Sequence, residues 1–407
     1  MTSAQQTQEP APAAPADDAA HREPVLRQIL SSSGTLVALS VLLALVVAAV
    51  LIALADPDAQ AAMGYFFARP GDFFAASWDA VYGAYSSLFR GAVFDPQAAT
   101  FQRAVRPFTE TLTAATPLIF AGLGLAVAFR SGLFNIGAQG QVVLGATFAA
   151  FAGFTFHLPP VVHMVVALVF GVVAGALWAG IAGVLKARTG ANEVIVTIML
   201  NSIAGFLMAY LLTTSAFKRP GSNPISPVLD ANAMFPRLLG DGFRLHLGFV
   251  LALLAAWGVW WLLERSSDGF RFRAVGLNPD AARTAGIRIN SVYVKVMLVA
   301  GALAGMGGVS QVLGTEGVLQ EGVAGSIGFD AITVALLGRS TPVGTVLAAL
   351  LFGALRAGSP LMQTVSGTPI DIVLVVQAII VLLIAAPPLV RTIFRLPAPS
   401  STREVTA

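Results

Sequence analysis

Apolar runs long enough to cross a bilayer recur along this sequence and constrain its fold more than any other feature. Residues 35–55, TLVALSVLLALVVAAVLIALA, contain no charged side chain, and about 20 such residues are what roughly 30 Å of hydrocarbon requires. Further runs lie at 108–129, 133–154, 160–185, 192–214, 246–263 and 291–312, followed by two short ones at 325–338 and 342–356 and a last at 371–390. Backbone polar groups in lipid must be satisfied within the segment, so such runs form helices. Only 11% of the 407 residues are charged and 56% are hydrophobic, whereas a water-soluble domain carries roughly 25% charge. The expected fold is an all-α, polytopic helical transmembrane bundle of about ten spans.

Four regions follow. Residues 1–34 begin with an Ala/Pro/Gln-rich stretch without periodicity, the composition of a disordered tail. Residues 35–107 hold the first span and a mixed segment whose Trp78, Tyr82 and Tyr85 suit a membrane interface. The first span ends in Ala53-Leu54-Ala55, like a signal-peptidase site, but its core exceeds the roughly 7–15 residues of a signal peptide, so it reads as uncleaved. Residues 108–390 form the main bundle and 391–407 a second tail. With the amino terminus inside, the short loops holding Arg130, Lys186 with Arg188, and Arg339 fall inside with the segment 264–290, which favours two cytoplasmic termini.

Several chemistries are excluded. There is no cysteine, hence no disulfide, thiolate or iron–sulfur site. No G-x-x-x-x-G-K-[ST] phosphate loop or HExxH occurs, and the histidines at 21, 157, 163 and 246 are scattered. No catalytic residue, metal site, cofactor or nucleic-acid partner is expected, and energy for any transport must come from another subunit or an ion gradient.

The polar island AVGLNPDAARTAGI, residues 274–287, lies between two apolar runs. Asn278 suits an N-cap, with Pro279 at the first helical position and Asp280 in the first turn against the helix dipole. Ala281, Ala282 and Ala285 make a smooth face beside Arg283, and Gly286 is placed to end the helix. By itself this is a short cytoplasmic helix, either an ordinary loop helix or a docking element.

Two further segments interrupt the apolar pattern. RSGLFNIGAQGQ, 130–141, brings Asn135, Gln139 and Gln141 among glycines, and GANEVIVTIMLN, 190–201, places Thr197 and Asn201 on one helix face four and eight residues after Glu193. Asn192 and Glu193 read as a helix start. The buried amides must meet a partner, a cavity or a water path, so they either line a solute path or bind helix to helix. The segment 314–345 carries Glu316, Glu321 and Asp330 among glycines; with 130–141 it is compatible with an inverted repeat. The pairs Gly171/Gly175 and Gly301/Gly305 have the spacing of close helix contacts.

From about residue 108 to 390 these motifs resemble the permeases of bacterial ABC transporters in the branched-chain amino acid and simple-sugar group, and TPLIFAGLGLAVAFRSGLFNIGAQGQ with GANEVIVTIMLN is most similar to the larger permease of nucleoside importers. The resemblance implies a plasma-membrane importer subunit with a second permease, a separate cytoplasmic ATP-binding subunit, an extracytoplasmic substrate-binding lipoprotein and a nucleoside substrate. It makes the island the ATPase-coupling element, with Asn278, Pro279, Asp280, Ala281, Ala282, Arg283 and Gly286, and leaves Asn135, Gln139, Gln141, Thr197 and Asn201 as substrate-path candidates. Ribose or another simple sugar is the alternative cargo. A stand-alone secondary transporter would call for buried acidic or sodium-coordinating residues that the pattern does not offer.

Overall fold

The computed structural model describes residues 33–395, so the expected tails at 1–34 and 391–407 lie outside it apart from their inner ends. In chain order the helices are α1 (Ser33–Ala55), α2 (Pro57–Met63), α3 (Pro70–Ala92), α4 (Phe101–Arg130), α5 (Ala138–Thr155), α6 (Val162–Thr189), α7 (Glu193–Leu211) and α8 (Leu247–Arg265). Then come α9 (Ser267–Leu277), α10 (Pro279–Thr284), α11 (Ile289–Gln311) with a π turn at Val312–Glu316, α12 (Ile327–Leu337), α13 (Pro342–Ser366), α14 (Asp371–Ala385) and α15 (Pro387–Ile393). Each expected apolar run contains a helix, and seven of these helices are long and apolar enough to cross a membrane, with α12 and α14 shorter. The chain is a multi-pass helical membrane protein.

Helix α4 runs through the middle of the bundle and is buried along nearly its whole apolar stretch, whereas α6, α7 and α8 are buried on one side only. Their other faces present Leu177, Phe206 and Trp257 outward, as a lipid-facing surface should. Lipid tails are as apolar as leucine, so helices associate here through close packing. The glycine pairs supply it: a Cβ on Gly301 would lie 2.3 Å from the Gly175 carbonyl oxygen, and one on Gly305 2.8 Å from that of Gly171. Helices α6 and α11 thus touch backbone to backbone.

Three expected boundaries are corrected. The short run at 342–356 belongs to the 25-residue α13, which is long enough to span. Arg356 and Pro360 resemble a helix end in sequence, yet the carbonyl of Arg356 that Pro360 leaves without a donor is taken by the Ser359 hydroxyl at 3.0 Å. The run at 133–154 becomes helical only at Ala138, after a turn in which Gly132 has φ +71°. The last run is broken at Ala386 before Pro387.

Helix α3 explains the aromatic mixed segment. Trp78 and Tyr82 face outward, Tyr85 donates its hydroxyl to the Leu45 carbonyl of α1, and Gly91 lies against Gly358 and Leu361 of α13. The helix therefore packs lengthwise between α1 and α13.

The glycine contact gives a direct check. Gly301→Ala should destabilise the protein by about 1–3 kcal/mol through overpacking, seen as a lower melting temperature in detergent. Gly205→Ala, at a position with nothing within 4 Å of the added Cβ, should not. Equal melting of the two variants would contradict the packing described.

Candidate functional site

The site is built from the island upward. Ser266 caps α9 by accepting from Gly269 N at 2.9 Å, and Asn278 caps α10 by accepting from Asp280 N and Ala281 N at 3.0 Å each. Gly286, at φ +82°, ends the turn while Ile287 N reaches back to the Ala282 carbonyl at 3.0 Å. The helix start and stop thus lie at the residues read from sequence. Ala282 faces inward and is buried, so the accessible side consists of Pro279, Asp280, Ala281, Arg283 and Thr284. Leu277 is 88% exposed at the same edge; sequence reasoning passed over it although a lone leucine between Gly276 and Asn278 in a polar stretch was a signal.

The island is clamped to the bundle in two ways. A Cβ on Gly276 would lie 2.4 Å from the Arg130 carbonyl oxygen and 3.0 Å from Gly132 N, so α9 rides on the backbone of residues 130–132. Glu264 at the end of α8 accepts from Arg130 Nη1 at 2.7 Å and from Arg273 Nη1 at 2.9 Å, while Arg130 Nε donates to the Ser340 carbonyl at 3.1 Å. Ser340 and Arg339, at φ +52° and +53°, form the left-handed turn between α12 and α13. One arginine therefore joins α4, α8 and that turn, and through Glu264 the island. Asp268 ties α9 to α11 through Lys295 Nζ at 3.1 Å; the Lys295 hydrogen bond, aided by Arg271, holds its carboxyl below the usual range.

The turn after Gly132 leads into the amide cluster. Asn135 Oδ1 accepts from Gly137 N at 2.8 Å, and the Asn135 and Gln141 amides exchange bonds at 3.3 and 3.4 Å. Asn201 Nδ2 donates to the Ile136 carbonyl at 2.9 Å while its Oδ1 accepts from Gly140 N at 2.8 Å. Thr197 Oγ1 accepts from Ile136 N at 3.3 Å. Asn135, Gln141 and Thr197 are buried. The bonds of Thr197 and Asn201 serve backbone at the break between α4 and α5 and fasten it to α7, while Gln141 holds the Asn135 amide that accepts from Gly137 N. Asn192 caps α7 and Glu193, bonded to Lys186 Nζ at 2.6 Å, opens it.

Gln139 connects the two interrupted segments. Its Nε2 donates to the Gly325 carbonyl at 2.7 Å and its Oε1 accepts from Gly328 N at 2.8 Å. A Cβ on Gly328 would lie 2.2 Å from Gln139 N, so the amino-terminal ends of α5 and α12 press together inside the protein. Beside them Arg356 Nη2 donates to Ser326 Oγ at 3.0 Å and lies 3.5 Å from Asp330 Oδ2. This ion pair between two apolar helices escaped sequence reasoning; an arginine and an aspartate inside apolar runs were the available signal. Among the described residues no group of three or more His, Asp or Glu side chains is placed to hold a metal ion.

Polar groups thus run unbroken from the island through residues 130–141 to the α12 start, an arrangement suited to passing a displacement at one face into the bundle. Residues 108–385 match the family described as branched-chain amino acid transport system / permease component. The guanosine ABC transporter permease protein of Bacillus subtilis (strain 168) is 42% identical over 279 residues, covering 68% of this chain and 80% of that one. The nucleoside ABC transporter permease protein of Lactococcus lactis subsp. cremoris (strain MG1363) is 37% identical over 289 residues, 69% of this chain and 79% of its own. The glucose ABC transporter permease protein of Haloferax volcanii is 35% identical over 283 residues, 67% and 74% of the two chains. No solved structure matches significantly. The chain belongs to the branched-chain amino acid transport system / permease component family.

Proposed function

We propose that this chain is one permease subunit of an ATP-driven importer that carries nucleosides across a bacterial plasma membrane. It works with a second permease, a cytoplasmic ATP-binding subunit that hydrolyses ATP, and an extracytoplasmic substrate-binding lipoprotein. Both termini and the island face the cytoplasm. The observation that carries the reading is the backbone contact of Gly276 with residues 130–132: a partner that grips the exposed edge of α10 moves the broken segment between α4 and α5. Similarity to guanosine and nucleoside permeases supports a nucleoside cargo, and similarity to a glucose permease supports a sugar as the second reading.

In this mechanism Asn278, Pro279, Asp280, Ala281, Arg283 and Leu277 meet the ATPase, while Ala282 and Gly286 hold the shape of the helix. Closure of the ATPase pushes α9 against residues 130–132. The amides of Asn135, Gln139, Gln141 and Asn201, with the Thr197 hydroxyl, re-pair as the turn shifts. Their exchangeable donors and acceptors suit a neutral, hydrogen-bonding solute passing beside them. Partly exposed ion pairs contribute only ~0–1 kcal/mol to stability, so the Arg130–Glu264–Arg273 bridge acts by position.

Three outcomes check this. Leu277→Asp combined with Arg283→Glu should abolish copurification of the ATPase from a folded permease; full copurification with normal uptake would remove the docking role. Arg130→Glu should lower uptake by about 5–150-fold, the span of a coupling of 1–3 kcal/mol, with the complex assembled and ATP still hydrolysed, and adding Glu264→Arg should restore part of it. Parallel losses of uptake and assembly would make Arg130 merely structural. Alanine at Asn201 or Gln139 should reduce nucleoside flux more than complex yield; a fall in yield alone would leave those amides as helix glue.

A further inference from the structure

At the face opposite the island, α4, α13 and the π turn after α11 enclose a cavity of about 280 Å³ whose polar lining includes Glu110, Thr113, Arg244, Gln311, Glu316 and Arg356. It adjoins a second of about 450 Å³ toward α3, and Glu110 and Arg244 line both. The basin exists for local reasons. Pro117 of α4 and Pro360 of α13 both lie on its wall, where a proline spreads the helix against its neighbour. The π turn Val312–Glu316 widens the end of α11, and such turns recur at functional positions. Gly317, at φ +67°, then turns the chain away.

The charges inside balance: two carboxylates, Glu110 and Glu316, face two guanidiniums, Arg244 and Arg356. Arg356 is engaged with Ser326 and Asp330 at the start of α12, so the floor of the basin is the polar chain that begins at the island. Arg244 Nη1 donates to Glu110 Oε2 at 3.4 Å. Glu110 Oε1 is buried without a hydrogen-bond partner, and its nearest cation is Arg106 Nε at 3.6 Å. Gln311 uses its Nε2 on Glu316 Oε1 at 3.1 Å, which leaves the Gln311 amide oxygen and the second Glu316 oxygen as acceptors. A buried carboxylate oxygen without a donor is costly, and a net-neutral pocket with unspent acceptors and one half-free guanidinium repels neither sign.

We propose that this basin is a solute-holding site within the subunit, and that Glu110 and Gln311 read a neutral solute through adjacent N–H or O–H donors while Arg244 takes its acceptor. The N–H and carbonyl edge of a 6-oxopurine nucleoside meets both demands; an all-hydroxyl sugar meets them without the carbonyl. The site lies on the far side of the Arg356–Asp330 pair from the amide cluster, so a solute held here waits above the segment the island moves. This deepens the importer reading and rests on it.

The test uses the assembled transporter, permeases and ATPase without the receptor lipoprotein, in nanodiscs, with labelled guanosine titrated by equilibrium binding and glucose as competitor. Guanosine should bind saturably in the unmodified transporter. Glu110→Gln and, separately, Gln311→Leu should each weaken binding roughly tenfold, with complex yield and basal ATP hydrolysis unchanged. The conservative Glu110→Asp should keep part of the affinity. Affinity unchanged from the unmodified transporter in both variants, or no saturable binding in a preparation that imports guanosine with its receptor, would overturn the site and leave the importer reading standing. A reconstituted transporter that imports neither nucleosides nor sugars would overturn the reading, and the site with it.

Discussion

Backbone polar groups inside a bilayer have no water to bond, and this structure is organised around a break between two helices where the helical ladder does not satisfy them. Between α4 and α5, residues 131–137 leave the helix, and every freed group must find a partner within the protein. Asn135, Thr197 and Asn201 supply partners there, with Gln141 holding the Asn135 amide in place. Because the repair is made by side chains and not by a fixed ladder, it can be made in more than one way, which continuous helices such as α6 and α11 cannot do.

The same break fixes where the island must sit. A turn ending at Gly132 exposes backbone that α9 can approach without a side chain between them, and Gly276 is the residue that makes the approach. Arg130, one residue before the turn, is shared by Glu264 and the Ser340 carbonyl, so the contact is tied to the α12–α13 turn as well. The starts of α5 and α12 meet at Gln139, and Arg356 continues the polar line to the opposite face. Glycine-packed helices thus surround a break that side chains repair, the layout on which the proposed coupling rests.

Much of this was legible in the sequence, and the parts that were not have physical reasons. Spans, the α10 cap at Asn278 and the glycine contacts of 171, 175, 301 and 305 follow from local rules of hydropathy, capping and side-chain size. The length of α13 did not, because Pro360 ends helices in water and is tolerated here by the Ser359 hydroxyl. The inward face of Ala282 and the exposure of Leu277 depend on how α10 lies against α9 and α11, which no local pattern encodes. The Arg356–Asp330 pair joins positions 26 residues apart, and only the folding of α12 back toward α13 brings them together. Glu110 and Arg244, 134 residues apart, meet for the same kind of reason.

Under the proposed coupling, movement of the island is felt at the seam between α4 and α5. The sequence has no cysteine, so introduced cysteines place spin labels at chosen positions of this chain. With labels at Phe134, on the seam, and Glu321, ahead of α12, both outward-facing, pulsed electron-spin distance measurement on the assembled transporter compares nucleotide-free and ATP-bound states. The account predicts that ATP shifts the distance distribution by several ångströms, and that Arg130→Glu removes the shift while ATP still binds. A distribution unchanged by ATP in a preparation that transports solute would contradict it.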